Sequence, residues 1–169
     1  MTLRLILMRH AKSGWDDPLL TDHARPLNPR GYASATAMGH WLRQQGYVPQ
    51  QALVSDARRT QETFAGLETG LTTDLRPDLY HASSDRMLRA LQDGTAPCLL
   101  MIGHNPGIAD FAARLLHHSP AHRRFHDYPT CATLVADFNV ADWGNVRFGT
   151  GTPVDFAIPR EVLGGQAGI

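Results

Sequence analysis

At 169 residues, with 43% apolar and 19% charged residues, the chain has the size and composition of one globular domain spanning 1–169, able to bury roughly two-thirds of its unfolded surface without a disulfide or metal staple. Its 16 Lys and Arg balance 16 Asp and Glu, for a formal net charge of zero, so no overall field draws it to nucleic acid or an anionic membrane and any positive field must be local. No run approaches the roughly 18 apolar residues of a membrane span. The apolar N-terminal stretch meets Arg9 and His10 without a small-residue cleavage site, which argues against a signal peptide. Cys98 and Cys131 lie in apolar runs, as buried free thiols do in reducing compartments, and the expected location is the cytoplasm.

In chain order, a first buried strand is predicted at Leu3 to Met8. Asn28 and Pro29 mark a helix start, Ala33, Ala37, Met38, Trp41 and Leu42 recur at helical spacing, and Gly46 marks the end. A second strand follows at Ala52 to Ser55 with a helix after it, then a helix over about Ser84 to Gln92 and a strand at Cys98 to Ile102. A helix from about Pro106 to His117, strands at Ala132 to Phe138 and Val154 to Ile158, and a loose Gly-rich tail over 164–169 complete the series. Alternating β and α elements predict a three-layer α/β/α sandwich with a mostly parallel sheet, which places ligands outside the carboxyl ends of its strands.

That rule selects residues. The first strand ends in Arg9-His10, followed by a small-residue loop, Ala11 to Gly14, that can offer backbone N–H groups to an anion. The second ends in Ser55 and opens a helix bearing Arg58 and Arg59, and the third ends in Gly103-His104. Each segment alone has a bland reading: a strand-end pair facing solvent for Arg9-His10, a surface ion pair with Glu62 for Arg58 or Arg59. Three separate strand ends delivering arginines and histidines to one edge favour a phosphate site.

The sequence resembles the histidine phosphatase superfamily and, more narrowly, the SixA-type phosphohistidine phosphatases. The resemblance rests on Leu7-Met8-Arg9-His10-Ala11-Lys12-Ser13, on Asp22-His23-Ala24-Arg25-Pro26-Leu27-Asn28 with Gly31 following, on Ser55 with Arg59 and Thr63, and on Gly103-His104-Asn105-Pro106-Gly107. It implies the phosphoglycerate mutase-like fold, His10 as phosphoacceptor, Arg9 and Arg59 as phosphate clamps and His104 as the second catalytic histidine. Arg25 fits a further arginine of the SixA-type pocket, and Ser13 joins the substrate-binding set. The family's Ser-to-Arg spacing selects Arg59 over Arg58.

The chemistry agrees with this assignment. Guanidinium forks match phosphoryl oxygens, and cationic neighbours should lower the pKa of His10 and keep it nucleophilic. Relatives that cleave phosphoesters carry an acid for the leaving oxygen. Here Asp78 lies in the corresponding region without the matching pattern, and a turn carboxylate describes it equally well. The gap favours a phosphohistidine substrate, whose imidazole leaves readily. No metal-ligand spacing appears, even in the His-rich segment from His117 to His126, which reads as a polar loop at the pocket rim or in solvent. Trp15 and Asp16 either shape the entrance or, for Trp15, pack partly buried. Tyr80 reads as a core-edge residue.

The expected activity is a metal- and cofactor-free phosphatase acting through phospho-His10. Its expected partner is a phosphorylated protein of the histidine-containing phosphotransfer type, with small phosphorylated metabolites second. A mutase is disfavoured because the stretch between Ser84 and Pro97 is short for a lid. A non-catalytic phosphate-binding scaffold is disfavoured because pure anion binding has no need of both histidines.

Overall fold

A computed structural model describes residues 2–167. The elements are β1 (Leu3–Arg9), α1 (Pro29–Gln45), β2 (Gln51–Ser55), α2 (Arg58–Leu67), β3 (Asp74–Arg76), α3 (Ser84–Gln92), β4 (Cys98–Gly103), α4 (Gly107–Leu115), β5 (Thr133–Phe138), β6 (Thr152–Ala157) and α5 (Pro159–Ala167). Single 3-10 turns lie at Asp22–Ala24, Pro77–Leu79 and Trp143–Asn145.

The strands form one sheet in the order β3-β2-β4-β1-β5-β6. β1, β2, β3 and β4 are parallel, as the alternating pattern predicts, whereas β5 and β6 run antiparallel, so the sheet is mixed. Side chains alternate across a strand, and β1 uses both faces. Leu3, Leu5 and Leu7 pack with Met87, Leu91, Ile108 and Phe111 of α3 and α4. Ile6 and Met8 pack with Met38, Leu42, Phe64 and Leu67 of α1 and α2. Burying a side chain of this size contributes about 1.5–3 kcal/mol, and apolar faces on both sides explain why the strands read as continuous apolar runs rather than alternating ones.

Helix α1 starts as its sequence signals require. Asn28 Oδ1 accepts from the Gly31 N–H at 2.8 Å, Pro29 occupies the first turn, and Gly46 closes the helix at φ 75°. Gly31 has a second duty: a Cβ there would sit 2.1 Å from the Lys12 carbonyl oxygen. The start of α1 therefore lies directly on the loop that follows β1.

Three departures from the predicted elements stand out. β3 escapes a hydrophobicity search because Asp74-Leu75-Arg76 is a polar, three-residue edge strand. Cys131 lies just before β5 at φ 62° rather than within a strand. Gly164 through Ala167 belong to α5, where the Gly-rich composition predicts a loose end, and residues 168 and 169 lie outside the described residues.

Candidate active site

The parallel ladder between β1 and β4 pairs Arg9 with Gly103, so the next residue of each strand is a histidine. The His10 N–H still donates to Gly103 O at 3.1 Å, and the His10 carbonyl accepts from Cys131 N at 2.9 Å. Two sheet-like bonds thus fix its backbone. The His10 and His104 rings lie 5.3 Å apart, centroid to centroid, tilted by 51°. Both are buried.

Proton placement follows from the partners. His10 Nδ1 donates to Ala11 O at 2.7 Å, which leaves the Nε2 lone pair unused by that bond. Arg59 Nη2 donates to His104 Nδ1 at 3.3 Å, so the ring proton of His104 sits on Nε2 and goes to Ser55 Oγ at 2.7 Å. Burial, reinforced by Arg59, Arg9 and Arg25 and opposed by the bond to Ala11 O, pushes His10 down to about 3. Burial, with His10, Arg59 and His81 adding to it, pushes His104 down to about 2. Both rings are neutral at neutral pH. Burial is the larger cause, ahead of the cationic neighbours to which the sequence points.

Around the histidines lies a cavity of about 330 Å³ whose walls include Arg9, His10, Ser13, Arg25, Arg59 and His104. Six of the residues nominated from sequence therefore meet in one place. Arg9 Nη1 donates to Tyr128 O at 3.2 Å, yet its Nε, like that of Arg59, is buried without a hydrogen-bond partner among the described residues. Both residues line the cavity, and guanidinium groups with unmet buried donors beside it favour an anionic acceptor there. Ser13 acts on a neighbour, since its Oγ accepts from Arg25 Nη1 at 2.9 Å. Trp15, 75% exposed, lies against Arg25 with the guanidinium carbon 3.4 Å from its ring centroid. It shapes the entrance and is not a packing residue. Thr63 ties the loop to α2: its Oγ1 accepts from Ala11 N at 2.9 Å and donates to Arg59 O at 2.7 Å.

The seventh nominee lies elsewhere. Asp78 is held by Arg76 through bonds of 2.9 and 2.7 Å, away from the cavity walls. Its place near the histidines is taken by Asp22. One Asp22 oxygen accepts from Arg25 Nη2 at 2.9 Å, and the other accepts from Arg59 at 3.0 Å and from the Tyr80 hydroxyl at 2.5 Å. His81 Nε2 stands 3.2 Å from that second oxygen. Burial works against the charge of Asp22, but the hydrogen bonds from Tyr80, Arg25 and Arg59 hold its carboxyl well below the usual range. Tyr80, half-buried and outside the cavity lining, acts on the site through its hydroxyl on Asp22 and its ring edge against His104. Asp22, Lys12, His81, Asn105 and Thr130 also line the cavity; Lys12, Asp22 and Asn105 stand inside three of the four segments that carry the resemblance, and that was their only signal, whereas His81 and Thr130 had none. None of the histidines from His117 to His126 lines it: His122 pairs with Glu161 at 3.0 Å and the others are exposed. Among the described residues no cluster of three or more His, Cys, Asp or Glu is arranged for a metal ion. No helix among the described residues is long and apolar enough to cross a membrane.

Comparison with known proteins agrees with this picture. Residues 5–83 match the model of the histidine phosphatase superfamily, branch 1. The uncharacterized protein Rv1276c of Mycobacterium tuberculosis is 33% identical over 163 residues, 90% of this chain and 100% of that protein. An uncharacterized chloroplastic protein of Arabidopsis thaliana, At3g52155, is 34% identical over 127 residues, but the match spans only 58% of its length. Among solved structures, the protein assigned as the phosphohistidine phosphatase SixA of Nakamurella multipartitia superposes with a TM-score of 0.82 at 25% identity, covering 94% of this chain and 97% of that one. The chain belongs to the histidine phosphatase superfamily and is a phosphatase of SixA-like fold.

Proposed function

We propose that the protein transfers a phosphoryl group to His10 Nε2, hydrolyses it there without a metal, and takes histidine-phosphorylated protein as its preferred substrate. The observation that carries this reading is the proton inventory of the cavity. Its one lining carboxylate among the described residues is Asp22, which its donors hold ionised. An alkoxide leaving group needs a proton delivered as it departs. A phosphohistidine imidazole, protonated on its distal nitrogen, leaves as the neutral base.

In the proposed reaction, His10 Nε2 attacks phosphorus and the bond from phosphorus to the substrate nitrogen breaks, releasing neutral histidine. Water then attacks the phosphoryl group, the bond to His10 Nε2 breaks to regenerate neutral His10 with its proton on Nδ1, and the two protons of the water leave on dihydrogen phosphate. Arg9 and Arg59, which line the cavity, hold the phosphoryl oxygens with their guanidinium groups and supply the positive charge, in place of a metal. His104 gains basicity beside a bound dianion, and a proton taken up at its Nδ1 frees Arg59 Nη2 for the phosphoryl oxygens. The free thiols Cys98 and Cys131 suit a reducing, cytoplasmic setting, in which phosphotransfer proteins are the proposed partners.

To test this, wild-type enzyme mixed with labelled phosphohistidine protein is quenched in alkaline denaturant. It should carry a base-stable, acid-labile label that His10→Ala lacks. In parallel, kcat/KM should be higher for the phosphohistidine protein than for a sugar phosphate or para-nitrophenyl phosphate, and unchanged by EDTA. Label on a serine, loss of turnover in EDTA, or preference for the sugar phosphate would each replace one element of the reading.

A further inference from the structure

Next to the catalytic cavity lies a wider cleft of about 690 Å³, and Lys12 and Thr130 line both. Four cations border it: Lys12 on the loop after β1, Arg30 in the first turn of α1, Arg124 on the loop before β5, and Arg160 in the first turn of α5. Among the described residues Lys12, Arg30 and Arg160 form no ion pair, and Arg124 alone is matched, by Asp127 at 2.8 Å. In a chain of zero net charge, three unneutralised cations around one cleft are a local excess. The cleft on the other side of the cavity, about 740 Å³, shows no such excess, since Asp85 and Asp110 line it together with Arg114. The two flanks of the site therefore differ in sign.

The geometry points to the basic cleft as a docking site for an acidic segment of the protein substrate, lying beside its phosphohistidine. This deepens the proposed function and rests on it. Two features favour a polypeptide over a small polyphosphate. The cations come from four separate elements rather than converging from one loop, and Pro129, Ile158, Pro159 and Leu163 give the cleft an apolar lining. An extended acidic segment with apolar side chains matches both, and electrostatic complementarity of this kind also raises the rate of encounter.

The experiment uses three phosphohistidine peptides of equal length, flanked by Glu, by Ser or by Lys, with para-nitrophenyl phosphate as a small substrate and inositol hexakisphosphate as a competitor. Wild type should favour the Glu-flanked over the Ser-flanked peptide by about three- to thirtyfold in kcat/KM, mainly through KM, a range expected for a few partly exposed charge pairs. The preference should fade as salt rises. The double variant Arg30→Glu, Arg160→Glu should erase it or invert it toward the Lys-flanked peptide, with para-nitrophenyl phosphate turnover unchanged. Glutamate in a first helical turn is favourable, so the folds of α1 and α5 are not put at risk, and Arg30→Gln, Arg160→Gln should fall between. Equal rates on Glu- and Ser-flanked peptides would overturn the docking site and leave the function standing. Absence of turnover on every phosphohistidine peptide, with para-nitrophenyl phosphate still cleaved, would overturn the function and the docking site together. Strong competition by inositol hexakisphosphate that the double variant relieves, without any peptide preference, would reassign the cleft to small polyanions.

Discussion

At the first turn of α2 two arginines follow one another, and helix geometry points them about 100° apart. Arg59 is 3% exposed and reaches Asp22 and His104, whereas Arg58 faces outward and pairs with Glu62 at 3.2 Å. Removing a buried charge-assisted contact costs about 1.5–3 kcal/mol, or about ten- to a hundredfold in kcat/KM if the contact is made in the transition state. Arg59→Ala should show that loss on any phosphorylated substrate. Arg58→Ala should stay within about twofold, since an exposed helical pair contributes about 0.3–0.5 kcal/mol. If the Arg58 variant is the impaired one, the clamp has been placed one residue too late in the chain. Sequence could separate this pair only through the spacing from Ser55. It could not single out Asp22, because an aspartate in a turn is ordinary and its importance arises from Arg25 three residues on and from Arg59, Tyr80 and His81 converging on it from distant parts of the chain.

Helix α1 shows how an element can serve a site it never enters. By helix propensity alone, Gly31→Ala should gain up to ~1 kcal/mol. Its new methyl would collide with the Lys12 carbonyl, so either the helix start or the loop after β1 must shift, at a cost of about 1–3 kcal/mol. The expected result is a lower urea midpoint and a fall in kcat/KM for para-nitrophenyl phosphate. A stabilised, fully active Gly31→Ala protein would show that the loop has room to give. The α1 boundaries were legible because Asn28, Pro29 and Gly46 each carry a local physical cause for starting or stopping a helix. The directions of β5 and β6 were not, since an apolar run looks alike whichever way it pairs, and the long polar excursion from Leu116 to Cys131 hides the reversal. The strand ends that carry Arg9-His10 and Gly103-His104 were legible for the opposite reason, as the polar residues abut their apolar runs without a gap.

On the scale of the whole molecule, the site's electrostatics set how the protein tolerates acid. A histidine whose folded pKa is depressed binds its proton more readily in the unfolded chain. For His10 and His104 the unfolded value is near ~6.5, and the folded values are about 3 and about 2. Across that interval the unfolded state holds more protons, so stability is full above the unfolded value and falls as pH drops through it. Asp22, whose folded pKa is lowered, adds stability that is present above the usual carboxylate range and lost below it, in the same direction. The urea midpoint should therefore decline from pH 7.5 to pH 5, and His104→Gln should decline less over the same interval. A wild-type midpoint that is flat across it would mean that the rings are already protonated in the folded state at pH 5.

His10 and His104 stand level with each other, one residue past the last paired rung of two neighbouring central strands, and adjacent strands lie about 4.8 Å apart. The 5.3 Å between the rings is thus close to the gauge of the sheet itself, a length written by main-chain atoms common to every amino acid. Apolar residues above and below can be exchanged for others of similar bulk without changing that gauge. Drift in the core and constancy in the chemistry can then coexist, because the interval between the two reacting groups is stored in the backbone rather than in the side chains that surround it.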